Sequence, residues 1–282
     1  MGYGWVTNED TSGETLQEFE AMVDQETHKP YRGYVPWTVA AVMVALWWAI
    51  THLGWVSATA LPSPGSVVHD FIKVALVGYS GVPLLESIIY SMGRIFVGFV
   101  LAIIVGVPVG FLMASNEWIF LSIDPLLQFL RPIPPLAYIP VLVVWFGIGE
   151  VSKVLLIFFC SIPIIIISAM SGVKMVQETR LRVAQCLGAS RWQTFRYVVL
   201  PSALPEIFTG MRVGIGIAWT CLVAAEMIAA SKGLGWMIEA AGGELQMGVV
   251  FVGIVVIGIL GYGMELVIRT IEHQVIPWKG KA

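Results

Sequence analysis

From Ile95 to Asn116 the chain runs without a charged side chain, bounded by Arg94 on one side and Glu117 on the other. A helix needs about 20 apolar residues to cross the hydrocarbon core of a bilayer. No water is present there to pair backbone amides, so such a run must fold as a helix that satisfies its own N–H and C=O groups. The run has companions. Trp37–Val56 carries no formal charge, Pro132–Gly149 lies between Arg131 and Glu150, Val154–Val173 lies between Lys153 and Lys174, and Leu245–Met264 is uncharged up to Glu265. Val213–Ala225 is too short alone, but it reaches spanning length from Ile207 to Ala230 if Arg212 and Glu226 enter the membrane. The third run extends backward through Leu126, Leu127, Phe129 and Leu130. The reading is an all-α, polytopic membrane protein with six transmembrane helices.

Composition agrees. Of 282 residues, 57% are hydrophobic and only 12% are charged, where a soluble domain carries about 25% charged residues. The same figures exclude a collagen, a disordered chain, a disulfide scaffold and a nucleic-acid binder.

The charges that exist are unevenly placed. Seven acids (Glu9, Asp10, Glu14, Glu18, Glu20, Asp24, Glu26) against Lys29 and Arg32 make residues 1–35 an acidic tail, without the apolar core of a signal peptide. Residues 36–282 form the membrane domain. Six spans put both termini on one side. If that side is the cytosol, it holds Lys29, Arg32, Lys174, Arg180, Arg182, Arg191, Arg196, Arg269, Lys279 and Lys281, against Lys73, Lys153 and Lys232 outside. Basic residues concentrate in cytosolic loops, so both termini and the tail are expected there. Cys160, Cys186 and Cys221 are scattered, as are the four histidines, and no metal site or disulfide is expected. Outside, Leu61-Pro-Ser-Pro64 reads as a turn before a short surface helix in Ser57–Ser87. The glycine-rich 231–246 segment reads either as a lid dipping into the outer leaflet or as a plain interfacial loop.

Between the fourth and fifth spans lies a polar cytosolic loop, residues 174–206. A first helix runs from about Gln177 to Leu187. Gly188 breaks it, since glycine tolerates the left-handed backbone of a helix end. Ser190-x-x-Gln193 then forms a capping box opening a second helix that presents Trp192, Phe195, Val198 and Val199 on one stripe and ends at Leu200-Pro201. Two readings fit: a docking knob for a soluble partner, or an amphipathic loop on anionic lipid.

At membrane depth, Arg131 precedes Pro132, Pro134, Pro135 and Pro140. Prolines remove backbone donors and bend a span, and irregular backbone is tolerated in lipid only where protein or a water-filled cavity covers it. This segment is the best candidate for pore lining. Arg131 suits a transient contact to an oxyanion, because guanidinium presents paired donors to arrays of oxygens; it could equally snorkel to the interface or pair with Asp124. Glu226 reads as a salt bridge or gate hydrogen bond rather than a contact to an anion. Trp145, Trp219 and Trp236 are gate or interface aromatics, and Gly98, Gly106 and Gly110 mark a close helix-packing face. The chain has no phosphate-binding Gly-x-x-x-x-Gly-Lys-Ser/Thr and no His-Glu-x-x-His, so no enzyme activity is expected.

The loop carries a resemblance. Ala184, Gly188, Val198 and Leu200-Pro201 resemble the cytoplasmic loop of permease subunits in binding-protein-dependent ATP-binding-cassette (ABC) importers, whose pattern is Glu-Ala-Ala, three residues, Gly, nine residues, Ile, one residue, Leu-Pro. Arg182 and Val183 replace its first two positions. Leu61-Pro-Ser-Pro64, Asp124-Pro125, Arg131-Pro-Ile-Pro-Pro135, Trp145-Phe-Gly-Ile-Gly-Glu150, Ser152-Lys153 and Leu187-Gly-Ala-Ser190 resemble the nitrate/sulfonate/bicarbonate branch. Pro205-Glu-Ile207, Thr209-Gly210, Leu222-Val-Ala-Ala-Glu226 and Gly233-Leu-Gly235 are most similar to taurine transport permeases.

The resemblance implies a type I importer core in the bacterial inner membrane. It implies two copies of this chain, two ATPase subunits that hold ATP and magnesium, and a periplasmic binding protein that delivers taurine or a related sulfonate. It also assigns Arg182, Ala184, Leu187, Gly188, Ala189, Ser190, Trp192, Phe195, Leu200 and Pro201 to the loop that couples to the ATPase. Nitrate, bicarbonate or an aromatic acid is the alternative cargo, and an ion-coupled secondary transporter the alternative mechanism.

Overall fold

The computed structural model describes residues 35–57 and 59–278. The acidic tail lies outside these residues apart from Val35, as do Lys279 and Lys281. Chain contacts group into two compact units, residues 1–64 and 65–282. In the first, α1 (Val35–His52) is apolar along its length, and the Trp47 indole donates to the Pro62 carbonyl at 3.0 Å, turning the Leu61–Pro64 segment back toward the helix.

The second unit holds α2 (Pro64–Val77), α3 (Leu84–Ser115), α4 (Glu117–Leu130), α5 (Ile139–Phe146) after a 3₁₀ turn at Pro135–Tyr138, α6 (Glu150–Lys174), α7 (Glu178–Cys186), α8 (Arg191–Ala229), α9 (Leu234–Gly243) and α10 (Met247–Val275). Among the described residues four helices, α3, α6, α8 and α10, are long and apolar enough to cross a membrane, and the bent pair α4 plus 135–146 reaches that length only when its two halves are counted together. The apolar part of α1, Trp37–His52, is shorter than the others.

Helices α3, α6 and α8 form the centre. A Cβ at Gly98 would sit 2.8 Å from Ile157 Cβ, and one at Gly110 would sit 2.6 Å from Ala169 Cβ. The residue offset is the same in both pairs, so α3 and α6 run parallel with their backbones in near contact, as small residues permit. Around this seam Ile95, Phe99, Ile157, Ile165, Ile215 and Leu222 make the principal apolar cluster.

One expectation, the end of the second loop helix, needs correction, and two readings gain detail. The third span is not one helix: its two halves meet at 98°, because Pro132, Pro134 and Pro135 cannot donate the amides that would continue α4. The second loop helix does not stop at Leu200-Pro201. Phe195–Val199 widens to a π turn in which the Leu200 amide bonds to the Phe195 carbonyl, and Pro201, which has no amide N–H to donate, follows that turn as the helix continues. The 231–246 segment is not a plain loop either. Leu234, Met237 and Ala241 of α9 are fully buried against α8, α10 and α3.

Candidate functional site

The 174–206 loop is built from two local motifs. At the end of α7, Gly188 takes φ +76°. Its amide bonds to Gln185 O at 2.9 Å and the Ala189 amide to Ala184 O at 3.0 Å, the paired closure of a Schellman cap. Next, the Ser190 amide donates to Gln193 Oε1 at 2.8 Å, and the Gln193 amide donates to Ser190 Oγ at 3.3 Å. Two residues thus separate a capped C-terminus from a capped N-terminus, which fixes the turn.

The loop is then anchored to the bundle. Phe195 meets Phe111 of α3 edge-on at 5.3 Å and stacks with Trp192 at 5.6 Å. Val199 and Leu200 pack on the Phe111, Ala169, Ala203 and Ile207 cluster. Ala184 is buried, while Leu187 at 81% and Trp192 at 66% exposure project outward. Arg182 pairs with Glu178 at 2.8 Å on the exposed face of α7. With Met175, Val183 and Tyr197 also exposed, the protrusion carries apolar side chains among its arginines, a pattern that marks interaction surfaces.

The broken α4–α5 pair borders a cavity of about 780 Å³, lined by Arg131, Pro135, Tyr138, Trp145, Cys160, Thr220 and Cys221 among mostly apolar neighbours. Pro132 and Pro134 form the break without lining it. No ion pair joins Arg131 to Asp124 among the described residues. A second cavity of about 590 Å³ lies further along α8, with Trp219, Thr220, Val223, Met227, Glu239 and Ile257 in its wall. Thr220 belongs to both.

Glu226 lines neither cavity. It is fully buried and sits at the centre of an ion cluster. One carboxylate oxygen accepts from Arg94 Nη1 at 2.6 Å and from Ser91 Oγ at 2.8 Å. The other accepts from the Gly235 amide at 2.8 Å, so the carboxylate caps the positive N-terminal end of α9. Ser91 Oγ in turn accepts the Leu234 amide at 3.0 Å, and Arg94 reaches Lys232 O at 2.9 Å. The remaining edge of the Arg94 guanidinium forks onto Glu150 at the start of α6, and Lys153 adds a contact to Glu150 at 3.2 Å. Gly233 carries φ +128°, and a Cβ there would fall 2.6 Å from the Glu226 carboxylate; no side chain fits. Beside the cluster, Lys232 pairs with Glu86 at 2.6 Å, which raises its pKa. At the other end of α8, Arg212 pairs with Glu272 of α10 at 3.3 Å.

Arg94 and Glu150 were missed from the sequence, where they serve only as the edges of uncharged runs. Their partners are 132 and 56 residues away from Arg94. The available signal was that Arg94 and Ser91 lie one turn apart, on the face that carries Gly98.

The family model for the inner membrane component of binding-protein-dependent transport systems matches residues 106–276. The chain belongs to that family. Among its relatives, the taurine transport system permease of Escherichia coli strain K12 is 43% identical over 242 residues, 86% of this chain and 88% of the relative. A putative aliphatic sulfonates transport permease of Bacillus subtilis strain 168 is 36% identical over 260 residues, covering 92% and 93%. The nitrate import permease of a Synechocystis strain is 32% identical over 248 residues, covering 86% and 90%. Inward-facing structures of the MetNI methionine ABC transporter share the fold, with TM-score 0.57 at 21% identity over 68% of this chain and 95% of theirs. The chain is therefore a multi-pass inner-membrane permease subunit of an ABC importer. In this family ATP is hydrolysed by a separate subunit.

Proposed function

We propose that this permease carries taurine or a closely related small organic sulfonate inward, driven by an ATPase docked on the 174–206 loop. The observation that carries the substrate is the 43% identity to a taurine permease over 86% of the chain. Two copies enclose the pathway between six-span subunits with both termini in the cytosol. Each loop enters a cleft of one ATPase subunit, where ATP and Mg²⁺ are held, and a periplasmic binding protein delivers the substrate from outside.

The loop's construction supports this mechanism. A coupling element must transmit displacement rather than absorb it. The Schellman cap and capping box leave the turn at Gly188–Ser190 little freedom, and α8 continues unbroken from Arg191 to Ala229. At about 1.5 Å per residue, that helix carries motion from the loop to the Glu226 cluster. When the ATPase subunits close, Leu187 and Trp192 move with them and α8 tilts. The cavity beside Arg131 then changes its access, and Arg131 offers a transient bidentate contact to a passing sulfonate.

Competition uptake in vesicles bearing the full transporter tests the substrate. Excess unlabelled taurine is expected to displace labelled sulfonate uptake. Displacement by nitrate or bicarbonate but not by taurine would assign the permease to the other branch.

A further inference from the structure

The two cavities differ in the one charge each contains. In the 780 Å³ cavity that charge is Arg131. In the 590 Å³ cavity it is Glu239, on the exposed face of α9. Glu239 has no hydrogen-bond or ion-pair partner among the described residues, although Lys232 and Glu244, which flank α9, are both paired. Its carboxylate thus joins an otherwise apolar wall made by Val223, Met227, Ile257 and the indole of Trp219. Thr220 belongs to both linings, so the cavities adjoin along α8.

A lone carboxylate beside the route of a simple anion opposes its passage. The same carboxylate favours a cation, and an indole face adds attraction for an ammonium group. A path with a guanidinium at one station and a carboxylate at the next fits a ligand that carries both charges.

We propose that Glu239 is a specificity-determining residue of the permease: it selects sulfonates bearing an amine, and excludes nitrate, bicarbonate and plain alkanesulfonates, by holding the substrate ammonium in the second cavity. This rests on the reading of the chain as a sulfonate permease and adds a selection step inside the membrane.

The test uses the purified permease–ATPase complex without the binding protein, so that selectivity belongs to the complex alone. Equilibrium binding of labelled taurine and labelled ethanesulfonate, which lacks the amine, is measured for wild type, Glu239→Gln and the control Glu244→Gln. Wild type is expected to bind taurine at least ~10-fold more tightly than ethanesulfonate. Glu239→Gln should lose most of that ratio by weakening taurine alone, and Glu244→Gln should keep it. An unchanged ratio in Glu239→Gln, equal weakening of both ligands, or no wild-type preference overturns the proposal. Glu239 is exposed, so the variant is expected to assemble normally, which gel filtration of the complex verifies. Taurine uptake by the wild-type transporter tests the underlying reading separately. Uptake with an unchanged ratio overturns only the role of Glu239, and failure to move any sulfonate overturns both.

Discussion

Replacing Glu226 by alanine is expected to be among the most destabilising single changes in this chain. The carboxylate accepts from Arg94, from Ser91 and from the Gly235 amide, all in a site closed to solvent. Truncation leaves the Arg94 guanidinium with Glu150 and the Lys232 carbonyl as partners and strands a buried amide at the start of α9. Breaking one side of a buried ion pair costs about 3–5 kcal/mol, and an orphaned buried donor about 1–3 kcal/mol within that loss. For a chain of this size 1 kcal/mol corresponds to roughly 2–4 °C in Tm, so the midpoint in mild detergent should fall by on the order of 10 °C. Glu226→Gln should recover only part of this. Its amide presents one acceptor and one donor where the site offers N–H donors on both sides, so one contact becomes donor against donor. Ser91→Ala should cost about 1–3 kcal/mol, because the Leu234 amide loses its acceptor. In the double variant the two losses should be less than additive, since Ser91 and Glu226 bond to each other. A Glu226→Ala midpoint within about 2 °C of wild type, or strict additivity with Ser91→Ala, would refute the view that this cluster pins α9 to α3 and α8.

Other substitutions separate packing from coupling. A Cβ at Gly188 meets no atom within 4 Å, so Gly188→Ala should add only the strain of a positive φ, about 1–2 kcal/mol, and reduce uptake modestly. Gly188→Asp puts a charge on the docking tip as well, and should abolish coupled uptake while membrane insertion, read by fractionation, stays normal. Gly98→Leu must push α3 off Ile157 and the Val154 carbonyl and should lower the detergent midpoint by the equivalent of about 1–3 kcal/mol or more. Gly93→Leu, five residues away with open space around its Cβ, should leave the midpoint within a degree or two.

What the sequence revealed followed the range of the interaction. The local fold of the 174–206 loop was legible almost residue by residue, because its determinants are local: a glycine after a helix and a serine three residues before a glutamine. The first helix was expected at 177–187 and spans Glu178–Cys186. The glycine face of α3 was legible for the same reason, since a helical repeat on one element implies a close neighbour. The prolines after Arg131 announced a bend, but its size depends on what α5 packs against. The π turn at Phe195–Val199 was hidden because Leu200-Pro201 also reads as a helix stop. Least legible was the Arg94–Glu226–Glu150 cluster. A charge at the edge of an apolar run usually snorkels to the interface, and only the fold turns Arg94 inward and places three distant segments around it. Helix α9 follows from that cluster: its glycine-rich sequence resembles a loop until Glu226 caps its first turn.

The central claim is that ATP hydrolysis in a separate subunit drives transport through the 174–206 loop. Its most direct test is vanadate-sensitive uptake of labelled taurine into vesicles containing this permease, its ATPase and the binding protein, with Leu187→Asp/Trp192→Asp as the loop variant. The account predicts ATP-dependent, vanadate-blocked uptake by wild type. It also predicts a loop variant that inserts normally but neither retains the ATPase on co-purification nor transports. Uptake that proceeds without the ATPase, or a loop variant that binds the ATPase and transports like wild type, would contradict it.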